Sequence, residues 1–250
     1  MIHKKKGEIE WLEFEMLANE PGLIHGTFLR HGGVSEGPYG SLNVGGGTDD
    51  DQHNIVENRQ RIQQVLNIGC IAGCYQVHGD GIQRVWEDNQ QVGECDGLVT
   101  DKANIGLLIK HSDCQAAIFY DPVHKALANV HCGWRGNVKN IYRAAVQKMA
   151  LVFGSNPRDL LVGISPSLGP DHSEFKNYKT EFPEEFWGFE VRPEYFDLWA
   201  IARHQLEQCG LLSHHIEIAR VCTFSNARDC FSYRRDKITG RHATVAMLTG

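Results

Sequence analysis

Apolar positions along the chain follow strand-type and helix-type spacings in turn, and their order sketches a fold. Short strand-like runs come first: Ile9 to Met16, with one slip of phase, then Leu23 to Leu29 and Ile71 to Val77. Asp80-Gly81 predicts a turn into Ile82 to Trp86, which together with the run before it reads as a hairpin. Between these, Asp51 is placed to cap a helix whose Ile55, Ile62, Val65 and Leu66 fall on one face, with Arg59 close to that stripe. Three continuous apolar runs follow at Ile105 to Ile109, Ala116 to Tyr120 and Ala126 to Val130, the last two joined by a turn at Asp121-Pro122. Unbroken hydrophobicity predicts burial on both faces. Val138, Ile141, Tyr142, Ala145, Met149 and Val152 then recur at helical spacing, and Gly154 followed by Pro157 ends that helix. A strand at Leu160 to Ser165, a helix at Tyr195 to Gln208, and strands at Ile216 to Cys222 and Ala243 to Leu248 complete the pattern. Strands and helices alternate without a regular βαβ repeat, which predicts α+β layers rather than a doubly wound sheet.

A length of 250 residues allows one or two domains. No repeat, low-complexity tract or linker divides the chain, and the 26 glycines are dispersed, so one domain is expected over residues 8–250 behind a flexible N-terminus at 1–7. The balance of 25 basic against 31 acidic residues gives a net charge of -6, which argues against a nucleic-acid partner. No apolar run approaches the ~18 residues of a membrane span, and no secretory signal is evident, so a soluble cytoplasmic protein without a membrane partner is expected. Eight cysteines are too few for a disulfide scaffold and are expected to stay reduced, leaving thiols available to a metal or to catalysis.

Chemistry is most readable in His131-Cys-Gly-Trp-Arg-Gly136, where a buried strand ends and a helix begins. Two glycines permit close backbone approach, and Arg135 offers a planar fork suited to phosphate; an ordinary turn with Trp134 in the core fits the same residues. His78 and Cys114 also stand at element ends. With His131 they would form two nitrogens and one thiolate of an incomplete tetrahedron, the donor set of a catalytic zinc with an open position. The three are 36 and 17 positions apart, so spacing alone does not single them out. Cys70, Cys74 and His78 compete in sequence, but on a strand the outer two would lie roughly 26 Å apart, too far to share a metal. Gly40-Ser-Leu-Asn-Val-Gly-Gly-Gly47 is either a plain connection or an anion-binding nest, and lacks the Gly-Lys-Ser/Thr ending of a nucleotide-triphosphate loop. Ser232 to Arg241 is basic and reads either as a solvated turn or as the lining of an anion pocket.

The segments Arg30 to Val44, Gln76-Val-His-Gly79, Asp96-Gly-Leu-Val-Thr100, Ser112-Asp-Cys114, His131 to Gly136, Phe231-Ser-Tyr-Arg-Arg-Asp236 and Thr239-Gly-Arg241 occur in an order that resembles the YfiH/laccase-domain family of purine nucleoside phosphorylases, matching from residue 25 to 241. The resemblance implies an α/β/β/α layered single domain with mixed sheets, related to Cys/His deamidase folds. It implies a metal, usually zinc with copper possible, on His78, Cys114 and His131. It also implies phosphorolysis of adenosine, inosine, guanosine and S-methyl-5'-thioadenosine with inorganic phosphate, together with adenosine deamination. Within that frame Asp113 is expected as a proton carrier, and Arg59 as a catalytic residue that helps to hold phosphate. Arg135 and Arg241 are expected to bind phosphate, Asn43 the ribose or base, in a monomer or weak homodimer. The older copper polyphenol oxidase label of the family is disfavoured, because a laccase needs several copper sites and one is found. His111-Ser112 before Asp113, Cys132 after His131 and the looser Ser165 to Pro170 segment depart from the family pattern without touching the three ligands. A metal-free hydrolase or deamidase with Cys114 as nucleophile and His131 as base is the competing enzyme class, and a non-enzymatic binding module the third reading.

Overall fold

The computed structural model describes residues 1–88 and 90–250. Its strands in chain order are β1 (Ile2–Lys6), β2 (Ile9–Glu13), β3 (Leu23–Phe28), β4 (Cys70–Gly73), β5 (Ile82–Arg84), β6 (Gly97–Thr100), β7 (Ile105–His111), β8 (Gln115–Asp121), β9 (Ala126–Cys132), β10 (Leu161–Ile164), β11 (Glu190–Arg192), β12 (Tyr195–Phe196), β13 (Ile216–Ile218) and β14 (His242–Leu248). The α-helices are α1 (Glu15–Ala18), α2 (Gln52–Leu66), α3 (Trp134–Lys139), α4 (Ile141–Phe153), α5 (Tyr178–Glu181), α6 (Leu198–Gln208) and α7 (Tyr233–Asp236).

Two six-stranded sheets carry the molecule, ordered β1-β2-β3-β14-β7-β4 and β13-β10-β8-β9-β6-β5. Both are mixed: the β4–β7, β10–β13 and β5–β6 pairs are parallel, the others antiparallel. Their facing surfaces enclose a core that includes Leu107, Ile109, Ile118, Leu127 and Ala246. The outer face of the first sheet is covered by Ile62 and Leu66 of α2, that of the second by α4 and α6. The expected α/β/β/α layering of an α+β protein is therefore the observed architecture. Strand β7 in the first sheet and strands β8 and β9 in the second are interior and buried almost throughout, as their unbroken apolar runs require.

Asp51 caps α2 by accepting from the His53 amide at 2.8 Å, and Asn67 ends it in a left-handed conformation. Several expectations change: Tyr195 and Phe196 form β12, so the helix expected from Tyr195 begins at Leu198, and the strand expected to reach Cys222 ends at Ile218. The Asp80-Gly81 hairpin does not form: β4 and β5 belong to different sheets, and β5 pairs in parallel with β6. The helix expected through Val138 to Val152 breaks at Asn140, whose left-handed backbone ends α3 while its side chain caps α4. The strand beginning at Ile9 stops at Glu13, because Glu217 accepts the Glu15 and Met16 amides and starts α1. Residues 1–7, expected to be flexible, carry β1, paired along its length with β2.

Candidate metal centre

Two strand ends and the loop between β4 and β5 converge on the candidate site. On β9 the residues alternate: Ala128, Val130 and Cys132 face α4, while Leu127 and His131 face the other sheet. His131 thus arrives at the edge of the inter-sheet core and is 3% exposed. The antiparallel register of β8 and β9 sets Ala116 opposite His131, and so brings Cys114, just before β8, beside it. The third member, His78, comes from the segment after β4 and holds a left-handed backbone with φ 57°. The ligand atoms of His78, Cys114 and His131 all lie within 4.8 Å of one another. Among the described residues they are the one set of three or more His, Cys, Asp or Glu groups that converge in this way.

Asp96, at the entry to β6, organises the trio. Its carboxylate accepts the amides of Val77, His78 and Gly79 at 3.2, 3.0 and 2.6 Å, which holds the strained turn that presents His78. The same carboxylate lies 2.8 Å from Nδ1 of His131. A proton on Nδ1 directed at Asp96 leaves Nε2 with its lone pair free, the orientation a metal-binding imidazole needs. Gly133 completes the cradle: a methyl group there would sit 3.0 Å from both Cys114 Sγ and His78 Nδ1. Two imidazoles, a thiol and a space that a single Cβ would fill suit a borderline metal ion.

Electrostatics agree with that chemistry. Burial pushes the Cys114 thiol up, but His131 and then His78 outweigh it and bring it down to about 6. For His131 burial works against the charged form, while Cys114 and Asp96 raise it to about 9. Burial likewise opposes ionisation of Asp96, yet His131 and the Gly79 amide hold its carboxyl below the usual range. The thiol is thus disposed toward thiolate, the form that binds metal or attacks carbon.

The trio opens into a cavity of about 1160 Å³. The other residues proposed from sequence are distributed unevenly around it. Arg135 and Arg241 line it, and Arg135 extends over the Trp134 ring at 4.7 Å with no ion pair or hydrogen bond among the described residues. Asp113 also lines it, but both carboxylate oxygens are engaged at 2.6 Å, one by Thr223 Oγ1 and one by the Arg234 amide. Arg59 lies behind the glycine loop, donating to the Val44 carbonyl at 2.7 Å. Asn43 is fully buried and spends its amide on Thr48, Asp50, Gly45 and Arg241. The structure brings together the trio, Asp113, Arg135 and Arg241 around one cavity, and does not bring Asn43 or Arg59 to its surface. Two residues escape the sequence reading. Asp96 stands in the Asp96-Gly-Leu-Val-Thr100 motif with no role expected of it, and Lys110 lines the cavity as the one charged residue of β7. A lysine directly after an unbroken apolar run, at the end of β7, was the available signal for the second.

Comparison with known proteins settles the lineage. Residues 24–249 match the family model described as multi-copper polyphenol oxidoreductase laccase. The chain belongs to that family. Among relatives of this laccase-type family, it is 32% identical over 241 residues to purine nucleoside phosphorylase YlmD of Geobacillus stearothermophilus, covering 88% of each chain. It is 28% identical over 238 residues to purine nucleoside phosphorylase YfiH of Escherichia coli, covering 91% of this chain and 94% of that one. The crystal structure of YlmD from G. stearothermophilus superposes with a TM-score of 0.89 at 28% identity, over 100% of this chain and 99% of that one.

Proposed function

We propose that this protein is a cytoplasmic purine nucleoside phosphorylase with adenosine deaminase activity, working at a zinc held by His78, Cys114 and His131. The observation that carries the reading is the trio itself, three metal-binding side chains converging on a large cavity in a chain whose relatives are named purine nucleoside phosphorylases. Zinc in such a set supplies a Lewis acid with an open position. Copper would fit the same donors, but a multicopper oxidase needs further histidine sites, and the described residues offer one cluster.

In phosphorolysis a phosphate oxygen bonds to C1′ of the ribose as the C1′–N9 bond breaks; the bonding pair leaves with the purine, which takes up a proton. The chain's part is to hold the phosphate against C1′ and to exclude water. Arg241 and Arg135, two of the guanidiniums that line the cavity, are suited to the charged partner. With both oxygens occupied, Asp113 serves as a strut that ties the Cys114 turn to Thr223 and the start of α7. Arg59 and Asn43 act through the glycine loop that they hold. Adenosine, inosine, guanosine and S-methyl-5'-thioadenosine are the substrates proposed, and a monomer or weak homodimer the working form.

The test is chromatography of adenosine and inosine incubated with zinc-loaded protein, with and without phosphate. Free base and ribose 1-phosphate should form only with phosphate, and inosine should form from adenosine without it. No turnover of either nucleoside would overturn the reading. One geometric feature supports a second: Cys114, His131 and Asp96 form a thiol, imidazole and carboxylate in series, as in a Cys/His hydrolase. Metal-free protein that is active and is blocked by a thiol alkylator would establish that reading instead.

A further inference from the structure

An acidic protein has few reasons to gather cations without counter-ions, yet one wall of the cavity does so. Lys110 and Arg241 line it, and Arg59 stands behind the Gly45 to Gly47 loop. All three are half-buried, and none makes an ion pair among the described residues. Among the described residues their side chains donate to carbonyls: Lys110 to Cys74 at 2.9 Å, Arg59 to Val44, and Arg241 to Thr239 and Gly240. Asp50, the carboxylate beyond the loop, is taken up by Ser35, Asn43 and the Asp51 amide. Cations withdrawn this far from water are stabilised when a ligand supplies the opposite charge.

The wall is contiguous. Register sets Lys110 of β7 opposite Ala243 of β14, two residues from Arg241. A side chain on Gly45 would lie 2.6 Å from Arg241 Cγ, and one on Gly46 would lie 3.6 Å from the Arg59 guanidinium. The Gly46 and Gly47 amides donate no hydrogen bond among the described residues. Burial, and then Arg59, lower the Lys110 ammonium, as expected of a cation facing like charge. Two free backbone amides, an ammonium and a guanidinium together match a tetrahedral oxyanion.

We propose that Lys110, Arg241 and the Gly46 and Gly47 amides form a phosphoryl subsite on the sheet-end wall of the cavity, with Arg59 fixing the loop from behind. The assignment deepens the phosphorylase reading and rests on it for the role of the anion. The shared chemistry is a phosphate group, either free phosphate or the 5'-phosphate of a nucleotide.

Calorimetric titration of zinc-loaded protein with inorganic phosphate, and separately with adenosine 5'-monophosphate, distinguishes the two. Lys110→Gln should weaken the phosphate titration at least about tenfold and Lys110→Arg should restore most of it, with unchanged melting as the fold control. If the substitution weakens only the nucleotide, the subsite stands and takes a phosphate ester. If neither titration depends on Lys110, the proposal is overturned. Lys110-dependent phosphate binding in protein that cleaves no nucleoside would keep the subsite and remove the phosphorylase reading.

Discussion

The metal trio and the cationic wall are built from neighbouring strand ends, yet they use their polar atoms in opposite ways. In the trio, one carboxylate, Asp96, satisfies the backbone and the far ring nitrogen, leaving the side chains His78, Cys114 and His131 free to act. On the wall, the polar side chains themselves are consumed by the fold: Asn43 makes four hydrogen bonds within the protein and Arg59 holds the Val44 carbonyl. There it is backbone amides, Lys110 and the remaining guanidinium donors of Arg241 that stay available. Residue type alone therefore does not mark a ligand-binding group; what matters is whether its hydrogen-bonding capacity has already been spent.

The largest effect should follow from removing a group on the free side of that comparison. Cys114→Ala deletes one of three donors, so bound zinc measured by atomic absorption should fall to background and turnover should drop by at least about a thousandfold. The fold should survive, since the thiol is not a core packing group. Retained zinc with full activity would show that the trio is not a metal centre. Asn43→Ala probes the spent side. It leaves the Gly45 and Arg241 amides without their acceptor in a fully buried place, and should lower stability by about 3 kcal/mol, read from the denaturation midpoint. A loss under about 0.5 kcal/mol would mean that the loop does not need this anchor. Third in size is Asp96→Asn. The amide cannot accept all that the carboxylate does, and zinc affinity measured by chelator competition should weaken about 10- to 100-fold.

How much of this was legible before the structure depends on the range of the contacts. The β8–β9 hairpin was readable because two unbroken apolar runs flank Asp121-Pro122, whose carboxylate accepts the Val123 and His124 amides. Counting outward from that turn pairs Ala116 with His131, so the proximity of Cys114 to His131 was available from the hairpin itself. His78 was not available in this way. Its placement depends on a left-handed backbone and on Asp96, 18 residues away, reaching across to hold it. The failed hairpin at Asp80-Gly81 has the same origin, because the chain is leaving one sheet for the other at that point. The bend falls at His78-Gly79 rather than at Asp80-Gly81, and the partner strand is chosen by tertiary pairing.

Histidines sharpen the comparison with the smallest expected effect. His131 faces a thiol and a carboxylate, and is raised to about 9. His242, at the start of β14 beside Arg241, is a scaffold group: Nε2 accepts the Phe231 amide at 2.8 Å and Nδ1 donates to the Phe28 carbonyl at 2.9 Å. Burial lowers His242 to about 4, and burial lowers His25 to about 4 as well. Both are neutral in the folded state and titrate near 6.5 when unfolded, so the unfolded chain binds the extra protons as pH falls. Stability should therefore be insensitive to these groups above pH 6.5 and should decline from there toward pH 4. Between pH 6.5 and 5.5 each should remove about 1 kcal/mol. For His242→Gln the slope of stability against pH in that window should be shallower than in the wild type, measured by denaturant midpoints at fixed ionic strength. An unchanged slope would place His242 outside the groups that titrate on unfolding, and would remove the contrast between the two kinds of histidine.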